Sequence, residues 1–402
     1  MKNLDTPIET ALRQLKAGGL VVVMDDEDRE AEGDLVGLAE FATPETVNTM
    51  VTHARGLLCA PMAPAVATRL GLHPMVAHGT DAFGTAFTVS ADATTTSTGI
   101  SAFDRADTLQ QLADPQSQPA AFYHPGHVFP LIAQEHGVLA RGGHTEAAVD
   151  LARLAGAQPV AYICEVLQKS GKMARRPQLK ALAEGMQLPL ISIQQIRDYR
   201  YRHAIDVVTP IPAVALPTQH GDFQLEAFTT HDGAQPALLL SKGPITPDQP
   251  LLLRVHSECL TGDVFGSKRC DCGEQLNMAM DRIQQNGSGA VLYLRQEGRG
   301  IGLINKLKAY HLQENGLDTV EANQKLGFQP DERHYGLVAA ILHLKHITQV
   351  RLLTNNPDKV DQLTNLGLDV LQRVPLETQP LPENRQYLAT KKAKFHHQLK
   401  EV

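Results

Sequence analysis

The chain has 402 residues, 43% of them hydrophobic, and a formal net charge of −7. This length exceeds one typical core, so two domains are expected. The acidic balance disfavours broad nucleic-acid binding, although local arginine and lysine clusters can still bind small phosphorylated ligands. The sequence has no apolar run of about eighteen residues that would span a membrane and no signal-peptide segment at its start. Three of the five cysteines are clustered, which predicts a reducing cytoplasm and no disulfide framework.

The first notable segment is an acidic run at residues 25–34. A helix is predicted over residues 8–16, closed by two glycines, and a buried strand over residues 20–24. The acidic run follows that strand directly and holds seven acids around the single Arg29. A solvated loop is one reading. The position at a strand end and the hard carboxylates favour a Mg²⁺ site instead.

Four further segments of the first half combine regular structure with reactive side chains. Alternation predicts a half-buried strand over residues 83–90, and the hydroxyl-rich stretch 94–109 is either a polar loop or a phosphate-binding turn before a helix. His127 follows Pro-Gly on a shaped turn, where a structural role is the alternative. Arg141 and His144 precede a helix whose free N–H groups suit an anion, and a strand over residues 160–164 ends at Glu165.

Taken together, these segments resemble a known family. The runs DDEDREAEGD, TTTSTGISAFDRADT, HPGHVFPL, RGGHTEAAVDLARLAG and YICE are similar to 3,4-dihydroxy-2-butanone 4-phosphate synthase over about residues 1–203. The resemblance implies conversion of D-ribulose 5-phosphate to the butanone phosphate plus formate. A metal bridging the C2 carbonyl and C3 hydroxyl would stabilise an enediolate there. The residues 168–173 depart from the family, which usually has an acidic pair before glycine.

The synthase resemblance also implies a set of site residues. Glu30 and His144 would bind Mg²⁺ or Mn²⁺, and His127 and Glu165 would be the essential catalytic positions. The residues implied to contact ribulose 5-phosphate are Arg29, Glu30, Asp34, Arg141, Gly142, Gly143, His144, Thr145 and Glu165.

A boundary between two domains, 1–203 and 204–402, is predicted near residues 203–206. The proline-rich stretch 209–218 that follows suits either a semi-rigid linker or an edge segment. The sequence shows no internal repeat, so the second half is not a copy of the first.

The second half is organised around a cysteine cluster. Cys259, Cys270 and Cys272 lie within fourteen residues, with the spacing C-x10-C-x-C. Thiolates suit zinc, and three protein ligands leave an open position, as in a catalytic zinc site. His256 is the nearest candidate for a fourth ligand of a closed site. Buried thiols acting as small hydrophobes are the other alternative, which the polar flanking residues disfavour.

Three more segments of the second half suit anions. A glycine-rich turn with Arg295 and Arg299 follows a strand over residues 289–294. The run 331–336 precedes a helix over residues 337–344. A strand beginning at 351 leads through asparagine and proline into a helix start, where Thr354 and Lys359 could face an anion. The basic C-terminal stretch 391–400 is read as a solvated tail and assigned no role.

The run RVHSECLTGDVFGSKRCDCGEQL resembles the zinc signature of GTP cyclohydrolase II, and RQEGRGIGL, DTVEAN, DERHYG and LLTNNPDK follow in order over about residues 206–395. This family opens the imidazole ring of GTP and releases formate and pyrophosphate. The resemblance implies zinc on Cys259, Cys270 and Cys272, with Mg²⁺ accompanying the triphosphate. The implied GTP-binding residues are Arg254, Val255, His256, Ser257, Glu258, Gln275, Glu297, Gly298, Arg299, Thr319, Thr354 and Lys359.

Three residues have implied catalytic roles in the cyclohydrolase half. Asp331 would accept a proton, Arg333 would act as nucleophile toward the α-phosphate, and Tyr310 would lie near the ring-opening chemistry. Because arginine is a poor nucleophile at its usual pKa, electrostatic stabilisation of the phosphate stays open for Arg333.

The resulting hypothesis is a bifunctional enzyme of riboflavin synthesis. The expected fold is α/β (mixed α+β), with two three-layer domains in which helices flank a mixed sheet, the second carrying a catalytic zinc. Its partners would be ribulose 5-phosphate and GTP, with neither nucleic acid nor membrane, and the resemblances imply a homodimer. Two alternatives stay open: that one half is only structural, and that the cysteines belong to a zinc-dependent nucleic-acid-binding module.

Overall fold

The protein is described by a computed structural model over residues 4–26, 29–231, 235–247 and 249–400. Two acids of the acidic run, Glu27 and Asp28, lie outside these residues. The chain divides into two compact units, Met1–Tyr199 and Arg200–Val402. Each unit has its own mixed sheet with flanking helices, which confirms the predicted fold class.

The first unit alternates strands and helices. Its strands are β1 (Val21–Met24), β2 (Gly33–Leu38), β3 (Cys59–Met62), β4 (Ala91–Ala93), β5 (Phe122–Ile132), β6 (Ala161–Glu165) and β7 (Leu190–Ser192). Its helices are α1 (Thr6–Lys16), α2 (Pro44–His53), α3 (Pro64–Arg69), α4 (Ala102–Ala113), α5 (His144–Ala155), α6 (Arg176–Met186) and α7 (Ile193–Arg202), with 3-10 turns at Ala39–Phe41, Pro119–Ala121 and Gly137–Leu139.

Two hydrophobic cores cover the two faces of the first sheet, whose strand order is β4-β5-β3-β6-β2-β1-β7. Along β1, Val22 and Met24 face one core, while Val21 and Val23 face the other, as period-two alternation requires. Helices α2, α4 and α6 contribute to the first core and α1, α5 and α7 to the second. The unit therefore has three layers, and both faces of the sheet are sealed from water.

The prediction of a strand over residues 83–90 is wrong, because the structure has no regular strand there. Within this range, Phe87 and Thr88 form only isolated bridges, to Leu131 and Pro74. The side chain of Asp81 accepts a hydrogen bond from the Thr85 N–H at 2.6 Å, and Gly84 has a φ of 68°. These local contacts bend the backbone and compete with a regular ladder.

The second unit begins with its edge strands. Its strands are β8 (Val208–Pro210), β9 (Val214–Thr218), β10 (Gly221–Thr230), β11 (Ala237–Lys242), β12 (Leu251–Ser257), β13 (Gly289–Leu294), β14 (Gln349–Leu353) and β15 (Asp369–Val374). Its helices are α8 (Leu260–Asp263), α9 (Cys272–Asn286), α10 (Gly302–Glu314), α11 (Thr319–Lys325), α12 (Gly336–Leu344), α13 (Pro357–Asn365) and α14 (Arg385–Phe395), with a 3-10 turn at Glu297–Gly300.

The second sheet has a parallel part and an antiparallel part. Its order is β15-β14-β12-β13-β11-β10-β8, and β9 also pairs with β10. Strands β15, β14, β12 and β13 are parallel, whereas β11, β10, β9 and β8 pair antiparallel. The proline-rich stretch therefore supplies edge strands, where a missing N–H is tolerated.

In the part of the chain that the structure describes, no helix combines the length and the apolar character needed to cross a membrane.

Candidate active sites

The first candidate site lies where β1, β2 and β6 expose their ends at one edge of the sheet. Asp25 follows the last residue of β1, and Asp34 is the second residue of the antiparallel β2. Asp34 pairs in register with Glu165, the last residue of β6. The topology therefore gathers these carboxylates at one place, although they are far apart in sequence.

Three side chains at this edge form a potential cation site. The ligand atoms of Asp25, Glu30 and His144 lie within 4.8 Å of one another. Sequence reasoning predicted Glu30 and His144 but missed Asp25, which its position directly after a buried strand could have indicated. Arg29 pairs with Asp25 at 2.6 Å and with Glu30 at 2.9 Å. A divalent cation bound here would share both carboxylates with that guanidinium.

His144 is well suited to be a ligand. It begins helix α5 and is buried, and its Nε2 has no hydrogen-bond partner among the described residues. Burial lowers the pKa of His144, and the carboxylates of Asp25 and Glu30 oppose that shift. A neutral imidazole with a free nitrogen is the form that binds a metal. The residues present therefore fit a hard divalent cation.

Asp34 and Glu165 occupy the centre of the carboxylate group. Burial, and then the charge of Glu165, raise the pKa of Asp34 well above its ordinary value. The Leu57 N–H donates to Glu165 Oε2 at 2.8 Å and fixes that side chain. Asp34 is therefore suited to carry a proton beside Glu165, which acid–base chemistry could use.

Arg141 and the glycines after it form the loop before α5. Its Nη1 donates to Glu146 at 2.6 Å, and its Nε and Nη2 donate to the Phe83 carbonyl at 3.1 and 2.9 Å. Gly142 and Gly143 lead into the first helical residues, His144 and Thr145. The predicted residues 141–145 are thus contiguous at a helix N-terminus, with the Arg141 guanidinium held by protein groups.

His127 forms a dyad with Asp92 on the neighbouring strand. Its ring Nδ1 lies 2.7 Å from Asp92 Oδ2, and its backbone N–H donates to Asp92 Oδ1 at 2.8 Å. Cys59 of β3 pairs in register with Phe129 of β5 on one side and with Ile163 of β6 on the other. The strands that carry His127 and Glu165 therefore lie on either side of β3, two strand spacings or roughly 10 Å apart.

Sequence reasoning missed Asp92, since a single aspartate on a short strand carries no distinguishing pattern.

Gly56→Ala is expected to lower ribulose 5-phosphate turnover about 100-fold, the scale of a 1 Å misplacement in a site. An added Cβ would lie 2.4 Å from Glu165 Oε2 and 2.6 Å from its carbonyl oxygen, so Glu165 must move. Gly185→Ala in α6 is the matched control, since its Cβ meets nothing within 4 Å. Formate release by both variants measures the difference, and equal activities would contradict the placement of Glu165.

The second candidate site lies at the carboxyl ends of three adjacent parallel strands, β14, β12 and β13. Thr354 follows β14, Cys259 follows β12 and Glu297 follows β13. Parallel strands present their carboxyl ends at the same edge, which is where open α/β sheets bind ligands. The three predicted motifs of this half converge for that reason.

The three cysteine thiols lie together. Their sulfurs are within 4.8 Å of one another, with Cys259 and Cys270 3.6 Å apart, and Cys272 begins helix α9. Hydrogen bonds from the other two thiols hold the pKa of Cys259 far below its ordinary value. Gly262 packs over them, and a Cβ there would be 3.0 Å from Cys270 Sγ. A preformed trio that stabilises a thiolate fits a zinc ion.

Lys306 supports the thiol cluster and was missed by sequence reasoning. Its Nζ lies 3.1 Å from Cys259 Sγ, 2.7 Å from Glu297 Oε1 and 3.0 Å from Thr261 Oγ1. It lies on α10, outside every predicted motif position. His256 is not part of the cluster, because its Nε2 is 3.1 Å from both Asp263 oxygens. Three thiols therefore form the potential metal group.

A cavity of about 510 Å³ opens beside the thiols. Small-molecule sites typically measure about 300–1,000 Å³. The predicted residues that line it are Arg254, His256, Ser257, Glu258, Cys259, Cys270, Cys272, Gln275, Glu297, Gly298, Arg299, Tyr310, Thr319, Arg333, Thr354 and Lys359. Val255 is buried in β12 and offers its carbonyl to Lys359 Nζ at 2.8 Å. Asp331 contacts the cavity residue Arg333 through a hydrogen bond of 2.8 Å.

The cavity wall carries buried cations. Burial, reinforced by Arg254, lowers the pKa of Lys359 well below its ordinary value. Among the described residues, Arg254 Nε and Arg299 Nη1 are buried without hydrogen-bond partners. Burying charge without a counter-ion is costly, so an anionic ligand would relieve the repulsion. This charge distribution suits a polyphosphate.

The C-terminal stretch is not a solvated tail. Helix α14 and the residues after it line the cavity through Tyr387, Lys391, Phe395 and His397. The Arg299 guanidinium lies 4.1 Å from the Phe395 ring centre. The signal that was missed is a spacing of four residues between Tyr387, Lys391 and Phe395, which aligns them on one helix face.

Two protein-family models match the chain, one on each unit. Residues 9–199 match 3,4-dihydroxy-2-butanone 4-phosphate synthase, and residues 210–375 match GTP cyclohydrolase II. With one candidate active site in each unit, the chain is a two-domain, bifunctional enzyme.

Relatives that match nearly the whole chain identify the family to which this bifunctional enzyme belongs. Riboflavin biosynthesis proteins RibBA of Bacillus cereus (strain B4264) and Bacillus mycoides (strain KBAB4) are each 53% identical over 392 residues, 98% of this chain and of each relative. The crystal structure of RibBX from A. baumannii, a two-domain 3,4-dihydroxy-2-butanone 4-phosphate synthase, is 30% identical. It covers 92% of this chain and 99% of its own, with a TM-score of 0.68. The chain belongs to the RibBA family of riboflavin biosynthesis proteins.

Proposed function

We propose that both units are catalytically competent. Residues 1–203 would convert D-ribulose 5-phosphate to 3,4-dihydroxy-2-butanone 4-phosphate and formate. Residues 204–402 would hydrolyse GTP to 2,5-diamino-6-(5-phosphoribosylamino)pyrimidin-4(3H)-one with release of formate and pyrophosphate. The observation that carries the proposal is that each unit gathers its own metal-ligand group beside proton-transfer side chains.

In the first unit, Glu30 and His144, together with Asp25, would hold Mg²⁺ or Mn²⁺. The ion would supply Lewis acidity toward the carbonyl and adjacent hydroxyl of the sugar. Glu165 and His127 would move protons, with Asp92 fixing the orientation of the imidazole. Arg29, Glu30, Asp34 and the loop 141–145 would contact the sugar phosphate.

In the second unit, Cys259, Cys270 and Cys272 would hold zinc. Zinc would activate water for attack at C8 of guanine and for the later release of formate. Tyr310, whose ring centre is 5.6 Å from Lys306 Nζ, would face the opening ring.

The triphosphate, with its Mg²⁺, would lie on Arg254, Arg299 and Lys359. Asp331 would accept a proton during hydrolysis. Its carboxylate holds Arg333 through a hydrogen bond of 2.8 Å. Burial lowers the pKa of that guanidinium, but Tyr335 and Asp331 outweigh the burial and raise the pKa above its ordinary value, so the guanidinium stays charged. A fixed positive charge supports stabilisation of the α-phosphate over nucleophilic attack. The remaining predicted GTP contacts line the same cavity.

The proposal is tested by supplying ribulose 5-phosphate with Mg²⁺, and GTP with Mg²⁺ and Zn²⁺, in separate reactions and following formate in each. Glu30→Ala is expected to abolish formate release from ribulose 5-phosphate only, because it removes a cation ligand from the first unit. Formate from GTP in that variant is the internal control. Loss of both activities would show that the sites are not independent.

The alternative of one passive unit has a specific comparator, since the A. baumannii relative is described only as a synthase despite its two domains. Formate release from ribulose 5-phosphate, with none from GTP, would favour that alternative here. The three clustered thiols and the lined cavity support activity in the second unit of this chain.

A cytoplasmic homodimer is also proposed. The five free cysteines support a reducing compartment. Ile100, Phe103 and Tyr123 of the first unit are 54%, 71% and 60% exposed, and large exposed apolar side chains often mark subunit contacts. Sedimentation analysis would measure the mass, and a monomer at micromolar concentration would contradict the dimer.

A further inference from the structure

Helix α14 lies beyond residues 210–375, the segment that matches the cyclohydrolase family model, yet it forms part of the cavity wall. Its residue Lys391 has only 8% of its surface exposed. The Lys391 Nζ also lies 4.5 Å from the ring centre of Tyr387, one turn earlier on the same helix. A lysine so deeply buried needs a defined partner.

That partner begins a continuous chain of buried hydrogen bonds. Lys391 Nζ donates to Asp271 Oδ1 at 2.6 Å, and Gln275 Nε2 donates to Asp271 Oδ2 at 2.6 Å. Arg254 Nη2 then donates to Gln275 Oε1 at 2.7 Å, and Arg254 Nη1 donates to the Leu353 carbonyl at 3.0 Å. Asp271, Gln275 and Arg254 are 1%, 9% and 7% exposed.

This series of hydrogen bonds fixes the orientation of each side chain as well as its contacts. Asp271 stands between two zinc-ligand candidates, Cys270 and Cys272, and both of its oxygens are occupied. The Gln275 amide must turn its NH₂ toward that carboxylate, so its oxygen faces the Arg254 guanidinium. Without the Lys391 charge, the buried Asp271 carboxylate would lose its counter-ion, and the side chains beyond it would lose their fixed orientation.

We propose that Lys391 is a positioning residue of the GTP site, holding Arg254 toward the triphosphate through Asp271 and Gln275. The inference rests on the proposed cyclohydrolase function and adds a segment outside the family match to its machinery. Lys391 orients Arg254 without touching the nucleotide, and Arg254 makes the contact with the triphosphate.

Steady-state kinetics of Lys391→Met in the full chain tests this role. The KM for GTP is expected to rise about 10- to 100-fold, the scale of a hydrogen bond to a charged group, with kcat within about threefold. Zinc content should stay at that of the unmodified protein. Lys392→Met, exposed on the same helix, is the matched control and should leave KM unchanged. An unchanged KM in Lys391→Met would overturn the proposal.

The double variant Lys391→Met with Asp271→Asn separates positioning from direct contact. It removes the buried charge together with its counter-ion, and an amide oxygen at 271 can still accept from Gln275. If Lys391 acts through Asp271, the KM should return to within about threefold of the unmodified value. If Lys391 binds the triphosphate itself, the KM stays high and the proposal is wrong.

The double variant also decides the case in which Lys391→Met alone misfolds, because it no longer buries an unpaired carboxylate. Recovery of zinc content and of the KM would support the proposal, and continued loss would overturn it. Failure of the underlying function looks different: the unmodified protein would then release no formate from GTP.

Discussion

Replacing Cys270 with serine is expected to abolish zinc binding and to lower formate release from GTP by at least about 100-fold. Substitution of residues that only hydrogen-bond to a metal ligand already lowers metal affinity or activity about 10- to 100-fold. Cys270 Sγ lies 3.6 Å from Cys259 Sγ in the three-thiol group. A serine hydroxyl is a harder and far less acidic ligand than a thiol, so two thiolates alone would have to hold the metal. Zinc content by elemental analysis and formate from GTP are the two measurements.

The same preparation contains its own control. Formate release from ribulose 5-phosphate should not change, because the thiols lie in the second unit and the carboxylate group in the first. Cys164→Ala removes a buried cysteine outside the cluster and should keep the full zinc content. A Cys270→Ser protein that keeps both zinc and GTP turnover would show that the three thiols are not the metal site.

If the unmodified protein binds zinc but does not turn over GTP, the result would favour the alternative of a zinc-dependent nucleic-acid-binding module.

The sequence could indicate candidate residues of the second site because those residues directly follow strand ends. Cys259, Glu297 and Thr354 each follow a strand, and a strand followed by polar or glycine-rich residues is visible in the sequence. What the sequence could not show is that β14, β12 and β13 are neighbours, since sheet order depends on contacts between distant segments. The convergence of the three motifs in one cavity is therefore a result of the structure.

The residues that sequence reasoning missed act on other side chains through long-range contacts. Asp92 meets His127 across 35 positions, and Lys391 meets Asp271 across 120. An aspartate on a three-residue strand, or a lysine in a basic helix, has no local pattern that reveals such a partner. The incorrect strand over residues 83–90 has a similar cause, because alternation alone does not register the bend that the Asp81 side chain imposes.

Asp92→Asn is expected to lower ribulose 5-phosphate turnover by about 100- to 10,000-fold, the usual contribution of a positioned acid–base group. Asp92 Oδ2 lies 2.7 Å from the His127 ring Nδ1, and Asp92 Oδ1 accepts a hydrogen bond from the His127 backbone N–H. The carboxylate therefore sets both the orientation and the tautomer of the imidazole ring. An amide has one acceptor oxygen and one NH₂ donor group, so it cannot accept the backbone N–H on one atom and the ring N–H on the other. The imidazole would then present the wrong nitrogen to the substrate, as when the orienting carboxylate of a triad is lost.

The effect should appear in kcat with little change in KM, because His127 would act in the transition state and not in substrate binding. The matched variant Asp107→Asn on α4 removes a carboxylate of the same unit whose partner is the exposed Thr95, and it should stay active. His127→Ala and the double variant with Asp92→Asn complete a cycle. If the two residues act as one unit, the double variant is no slower than His127→Ala, whereas additive losses would mean that Asp92 has a separate role.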